Sequence, residues 1–137
     1  MLNKAKKVLI VEDEKDIADI ITMALEAEGF KTEIAADGLA GLAKIDSFRP
    51  DVIILDIIME KMDGMTMKKK MKEDIPIIVA SACDRATKRK VESEIKVNSW
   101  LEKPFEIDEL VNEVKMLTGG NTPSRQGRAT PFTKKGE

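Results

Sequence analysis

Asp51-Val52-Ile53-Ile54-Leu55-Asp56 decides the fold. Four consecutive apolar residues, three of them β-branched, stand between two carboxylates. A strand with one wet face alternates apolar and polar residues. An unbroken apolar run implies burial on both faces, the pattern of a parallel sheet covered by helices. Toward the N-terminus, Lys7-Val8-Leu9-Ile10-Val11 is a second such run and stops at Glu12-Asp13-Glu14. Toward the C-terminus, Pro76-Ile77-Ile78-Val79-Ala80-Ser81 is another and ends in a hydroxyl. Weaker strands are predicted at Thr32-Glu33-Ile34-Ala35 and at Ser99-Trp100-Leu101-Glu102, the latter stopping at Lys103-Pro104.

Helical spacing fills the intervals. Ile17, Ile20, Ile21, Ala24 and Leu25 predict a first helix closed by Gly29. Leu39, Leu42, Ala43 and Ile45 predict a second, ended at Arg49-Pro50 because the residue before proline disfavours helical dihedrals. After an Asp63-Gly64 turn, a short basic helix is expected over about Thr66–Lys72, and a highly charged, poorly amphipathic one over 85–96. Ile107, Leu110, Val111, Val114 and Leu117 give a last amphipathic helix. Strands alternating with helices predict an α/β domain with a parallel sheet wound on both faces, over residues 1–118. Residues 119–137 change character, with Arg125, Arg128, Lys134 and Lys135 against Glu137 and few apolar side chains, and are expected to form a disordered basic tail.

The composition excludes several classes. The 137 residues carry a net charge of −2, which gives no electrostatic case for direct nucleic-acid binding. Cys83 is the sole cysteine, so no internal disulfide can form and a reducing, cytoplasmic setting fits. The chain has no histidine, which removes imidazole catalysis and imidazole metal ligation. Met1 is followed by Leu2-Asn3-Lys4 with no apolar stretch of signal-peptide length, and no apolar run reaches the roughly 18 residues of a membrane span.

Ligands of open α/β sheets bind beyond the carboxyl ends of the strands. Glu12, Asp13, Asp56, Ser81 and Lys103 all fall at such ends. Glu12-Asp13 alone would suit a helix N-terminus, Asp56 alone a turn, Ser81 a strand end and Lys103 a surface charge. Together they place three carboxylates at one edge, where mutual repulsion calls for a hard divalent cation. Mg2+ suits oxygen ligands and retains waters that a phosphate can replace. A carboxylate so placed can accept a phosphoryl group, with Lys103 neutralising charge and Ser81 donating a hydrogen bond.

Val11-Glu12-Asp13-Glu14, Leu55-Asp56-Ile57-Ile58-Met59, Met62-Asp63-Gly64, Ser81-Ala82 and Lys103-Pro104-Phe105 resemble the motifs of response-regulator receiver domains over about residues 6–117, similar to stand-alone chemotaxis and sporulation regulators. The resemblance implies a flavodoxin-like five-stranded parallel sheet of order 2-1-3-4-5. It implies Asp56 as phosphoacceptor, and Asp13, Asp56 and the Ile58 carbonyl as Mg2+ ligands with Glu12 acting partly through water. Ser81 and Trp100 match the switch positions, and the Lys103-Pro104 peptide is expected to be cis. The implied donor is a sensor histidine kinase or phosphotransfer protein, and the output an altered surface for a downstream protein. The chain departs from the pattern at Glu60, where proline is usual, at Lys96-Val97, where Gly-Ala is usual, and in a short Gly64–Pro76 segment. Ile58 and Cys83 offer no group to orient an attacking water, which suggests a long-lived acyl phosphate.

Competing readings are a receiver cut from a larger regulator, an aspartate-based phosphatase and a flavodoxin-type cofactor binder. The phosphatase needs a second acid where Ile58 stands. The flavin site needs a Gly/Ser/Thr-rich loop where Glu12-Asp13-Glu14 stands. A self-phosphorylating switch that is not a turnover enzyme is the expectation.

Overall fold

The computed structural model describes residues 5–57 and 64–119. Five strands alternate with five helices: β1 Lys7–Val11, α1 Lys15–Ala27, β2 Lys31–Ala35, α2 Gly38–Phe48, β3 Val52–Leu55, α3 Gly64–Lys70, β4 Ile77–Ser81, α4 Arg85–Glu94, β5 Ser99–Glu102 and α5 Ile107–Thr118. All pairings are parallel and the order is β2-β1-β3-β4-β5. The expected flavodoxin-like arrangement is the observed one.

The period of two along each strand divides the core. Val8 and Ile10 of β1, Val52 and Ile54 of β3, and Ile78 and Ala80 of β4 face α1 and α5, where Ile21, Leu25, Leu110 and Val114 meet them. Leu9, Val11, Ile53, Leu55, Ile77 and Val79 face the opposite side, against Ile45 of α2, Met67 of α3 and Val91 of α4. The apolar runs are unbroken because both parities are buried, each such side chain contributing about 1.5–3 kcal/mol.

Helix ends follow local chemistry. Asp37 caps α2 by accepting from the Ala40 amide at 2.8 Å, and Asp84 caps α4 by accepting from the Thr87 amide at 2.8 Å. Gly29, just past the α1 cap, takes φ +94°, a conformation that suits a residue without Cβ. Arg49 adopts φ 57° before Pro50, which ends α2 where expected. The α1 and α2 patterns need correction, since Ile20 and Leu39 are exposed while Ala18 and Gly41 face inward. The basic helix starts earlier than expected, at Gly64. The Lys103-Pro104 peptide is cis. The Asp63 half of the turn, Ile58, Met59, Glu60, Met62 and the tail beyond Gly119 lie outside the described residues. Among the described residues no helix is long and apolar enough to cross a membrane.

Candidate phosphoacceptor and metal site

Backbone ladders run one step past the strands and set the site. The Asp56 amide donates to the Val11 carbonyl at 3.0 Å, and the Glu12 amide to that of Ala35 at 3.0 Å. The Lys103 amide reaches the Ser81 carbonyl at 3.2 Å. The residues that follow the apolar runs are thereby delivered to one edge of the sheet.

Glu12, Asp13 and Asp56 each present a carboxylate oxygen within 4.8 Å of the others. Glu12 and Asp56 are buried and Asp13 is exposed. Among the described residues, Ser81 and Lys103 both donate to the Asp56 carboxylate. Ser81 Oγ, fully buried, donates to Oδ1 at 3.0 Å, and Lys103 Nζ donates to Oδ2 at 3.1 Å. Lys103 also lies 2.8 Å from Glu12 Oε1 and 3.6 Å from Glu14 Oε1. The Glu14 amide donates to Glu12 Oε2 at 3.1 Å, so a backbone group fixes the second oxygen of that buried acid.

The electrostatics follow from burial and pairing. Burial pushes the Glu12 carboxyl above its ordinary value, and the Lys103 hydrogen bond and the Glu14 amide offset this only in part. Burial pulls the Lys103 ammonium down, but its bond to Glu12 and the charges of Asp56 and Glu12 outweigh that and leave it above the usual lysine value. Lys103 is therefore a fixed cation facing a surplus of negative charge. Three carboxylates and one ammonium fit a divalent cation, because the donors are all oxygen and one positive charge leaves the set under-neutralised.

The site residues expected from the sequence converge, apart from two. Trp100 belongs to the core beneath α4, with Lys88 Nζ 5.2 Å from its ring centroid and a buried Nε1 that has no partner among the described residues. Ile58, expected to lend its carbonyl, lies outside the described residues. Glu14 was legible as part of the acidic run, but nothing in its spacing revealed its approach to Lys103. Cys83 is half-buried, and burial with the neighbouring Asp84 and Glu102 charges pushes its thiol up, away from reactivity.

A doubly wound parallel sheet with a buried aspartate, a lysine and an acidic pair at its carboxyl edge defines the class to which the comparisons point. The family model for the response regulator receiver domain matches residues 8–115, and the chain belongs to that family. It is 28% identical over 130 residues to "Response regulator MprA" of Mycobacterium avium, a match covering 93% of this chain and 57% of the relative. The chain thus spans little more than half the length of that curated relative. Among solved structures, a Francisella response regulator 1452 receiver domain superposes with a TM-score of 0.76 and 34% identity, covering 83% of this chain and 97% of the other. A CheY-like receiver domain protein from Methanospirillum hungatei superposes with a TM-score of 0.78 and 25% identity, covering 85% and 95%. The protein is a two-component receiver domain, a signalling module whose acidic pocket is compatible with a metal ion.

Proposed function

We propose that Asp56 accepts a phosphoryl group from the phosphohistidine of a sensor histidine kinase or phosphotransfer protein, with Mg2+ held by Glu12, Asp13 and Asp56. The single observation that carries the reading is the Asp56 carboxylate, held by Ser81 and Lys103 with two further acids within 4.8 Å. A carboxylate oxygen of Asp56 forms the new bond to phosphorus as the donor's N–P bond breaks and the imidazole leaves. Lys103 stays with the oxygens that gain charge, and Ser81 turns its hydroxyl from the carboxylate to a phosphoryl oxygen. Bound Mg2+ supplies the additional positive charge that the dispersed phosphoryl charge requires. The Ile58 carbonyl completes the expected ligand set.

Output follows from the same groups. Ser81 ends β4, Lys103 directly follows β5, and Trp100 lies three residues before Lys103. A groove of about 610 Å3 between α4, β5 and α5, lined by Arg85, Lys88, Trp100, Phe105 and Glu109, offers the surface for a downstream protein. Movement of Ser81 and Lys103 toward an acyl phosphate gives Trp100 its role as a switch. The action is cytoplasmic, in a domain of residues 1–118 followed by a basic tail over 119–137.

A second reading, the receiver portion of a longer regulator, is favoured by the relative of which this chain spans only 57%. Incubation with acetyl phosphate and Mg2+, followed by intact-mass measurement of wild type and Asp56→Ala, tests the acceptor assignment. One phosphoryl adduct on the wild type and none on the variant is expected. An adduct on both, or on neither, would overturn it.

A further inference from the structure

Gly64 is buried at the first position of α3, directly against the peptide that carries the acceptor. A Cβ placed there would lie 2.6 Å from the Asp56 carbonyl oxygen, 3.0 Å from Ile57 Cα and 3.0 Å from Leu55 Cγ. Two of those three atoms are backbone, so no rotamer change relieves the overlap. The Gly64 amide also donates to the Ile57 carbonyl at 3.0 Å, while the Asp56 amide donates to Val11 at 3.0 Å on the other side. The backbone of Asp56 and Ile57 is thus held at its Asp56 amide by β1 and at its Ile57 carbonyl by α3, with the Asp56 carbonyl between them facing Gly64, and the missing side chain of residue 64 sets how closely the helix seats beneath it.

We infer that Gly64 is a positioning residue for phosphoryl transfer: by admitting α3 against the Asp56 carbonyl, it holds the acceptor carboxylate at the height where Ser81 and Lys103 both reach it. The inference rests on the assignment of Asp56 as acceptor. Gly41 of α2 supplies the contrast. A Cβ there meets Met67 Sδ at 2.7 Å and Val11 Cγ2 at 3.3 Å, side-chain atoms that can give way without moving the acceptor's backbone. Both glycines are tightly packed, Gly41 against side chains of α3 and β1 and Gly64 against the peptide of Asp56.

The test compares wild type, Gly64→Ala and Gly41→Ala in Mg2+ at saturating acetyl phosphate. Asp56 attacks phosphorus, the acetate–phosphate bond breaks and acetate leaves. The rate of adduct formation, read by intact mass, is normalised to the folded fraction read by circular dichroism. Displacing a reacting group by about an ångström costs on the order of a hundredfold in rate. A loss of that size is expected for Gly64→Ala, with a wild-type rate per folded molecule for Gly41→Ala. If Gly64→Ala is unfolded, trimethylamine N-oxide restores compaction and the rate is measured again; a rate that stays low supports the inference, and one that returns with the fold overturns it. A wild-type rate in folded Gly64→Ala, or equal loss in both variants, also overturns it. No adduct on the wild type would take down the acceptor assignment and this inference together, whereas a wild-type rate in Gly64→Ala sinks the inference alone.

Discussion

The Lys103 ammonium stands 2.8 Å from the Glu12 carboxylate, with only 13% and 3% of the two side chains exposed. The pair joins the end of β1 to the end of β5, across the ends of β3 and β4. It makes Lys103 a structural cation, because its ammonium pairs with the buried Glu12 and Asp56 carboxylates alike.

Lys103→Met keeps the length of the aliphatic stem and deletes the charge. The buried Glu12 then loses its ammonium partner and Asp56 one of its own, and breaking such a pair on one side destabilises by about 3 kcal/mol, the lower end of the range. The expected result is a lower urea midpoint with an unchanged denaturant slope. An unchanged midpoint would show that solvent already screens the pair.

Under the proposed Mg2+ assignment, binding to the native chain alone would shift the folding equilibrium by mass action. At a hundredfold excess over its dissociation constant the gain is about 2.7 kcal/mol. Asp13 is exposed but lies within 4.8 Å of two other carboxylates, so Asp13→Asn relieves repulsion and should leave metal-free stability unchanged or slightly raised. The same variant should lose most of the Mg2+-dependent rise in melting temperature. An equal rise in wild type and variant would remove Asp13 from the ligand set.

Ser81→Ala and Ser81→Thr separate packing from chemistry. Ser81 is fully buried and donates to the charged Asp56 carboxylate, so loss of the hydroxyl costs about 1.5 kcal/mol, Lys103 remaining as the second donor. Threonine keeps the donor but adds a methyl to a filled site, at about 1 kcal/mol. Similar losses of stability are expected, with phosphorylation by acetyl phosphate slowed in Ser81→Ala only. Equal slowing in both would assign the hydroxyl a packing role.

The residues differ in how far their roles were legible. Val8–Val11, Val52–Leu55 and Ile77–Ala80 were readable as strands because burial on both faces leaves an unbroken apolar signature. Asp56 and Glu12 were readable because each ends such a run. Ile20 and Leu39 misled because helical spacing yields a face but not its centre; the sheet sits over Ala18 and Gly41, small residues with little hydropathic weight. The direct bond of Lys103 to Glu12 was hidden by sequence distance. The seat of α3 was hidden for another reason: Gly64 acts through the side chain it lacks, and only backbone coordinates reveal what a Cβ would strike.

Asp84 governs the helix with the weakest hold on the core. Val91 is the sole fully buried residue of α4, so apolar packing contributes little there and end effects weigh more. The Asp84 carboxylate accepts from the Thr87 amide, and that backbone bond, followed by the Thr87 hydroxyl, holds its pKa below the ordinary value of 3.8. The folded-state pKa is depressed, so the stabilisation is complete above the unfolded value and fades as pH falls through the lower, folded one. Asp84→Ala should therefore lower the melting temperature by a few degrees at pH 7, with the gap from wild type narrowing below about pH 4. Asp84→Asn caps with a neutral amide oxygen and should keep most of the pH 7 stability without that acid-dependent loss. Because Lys88 of α4 lies over the Trp100 ring, the fluorescence of the chain's single tryptophan should follow the same pattern. Identical acid titrations for wild type and Asp84→Asn would show that the cap is not what anchors α4.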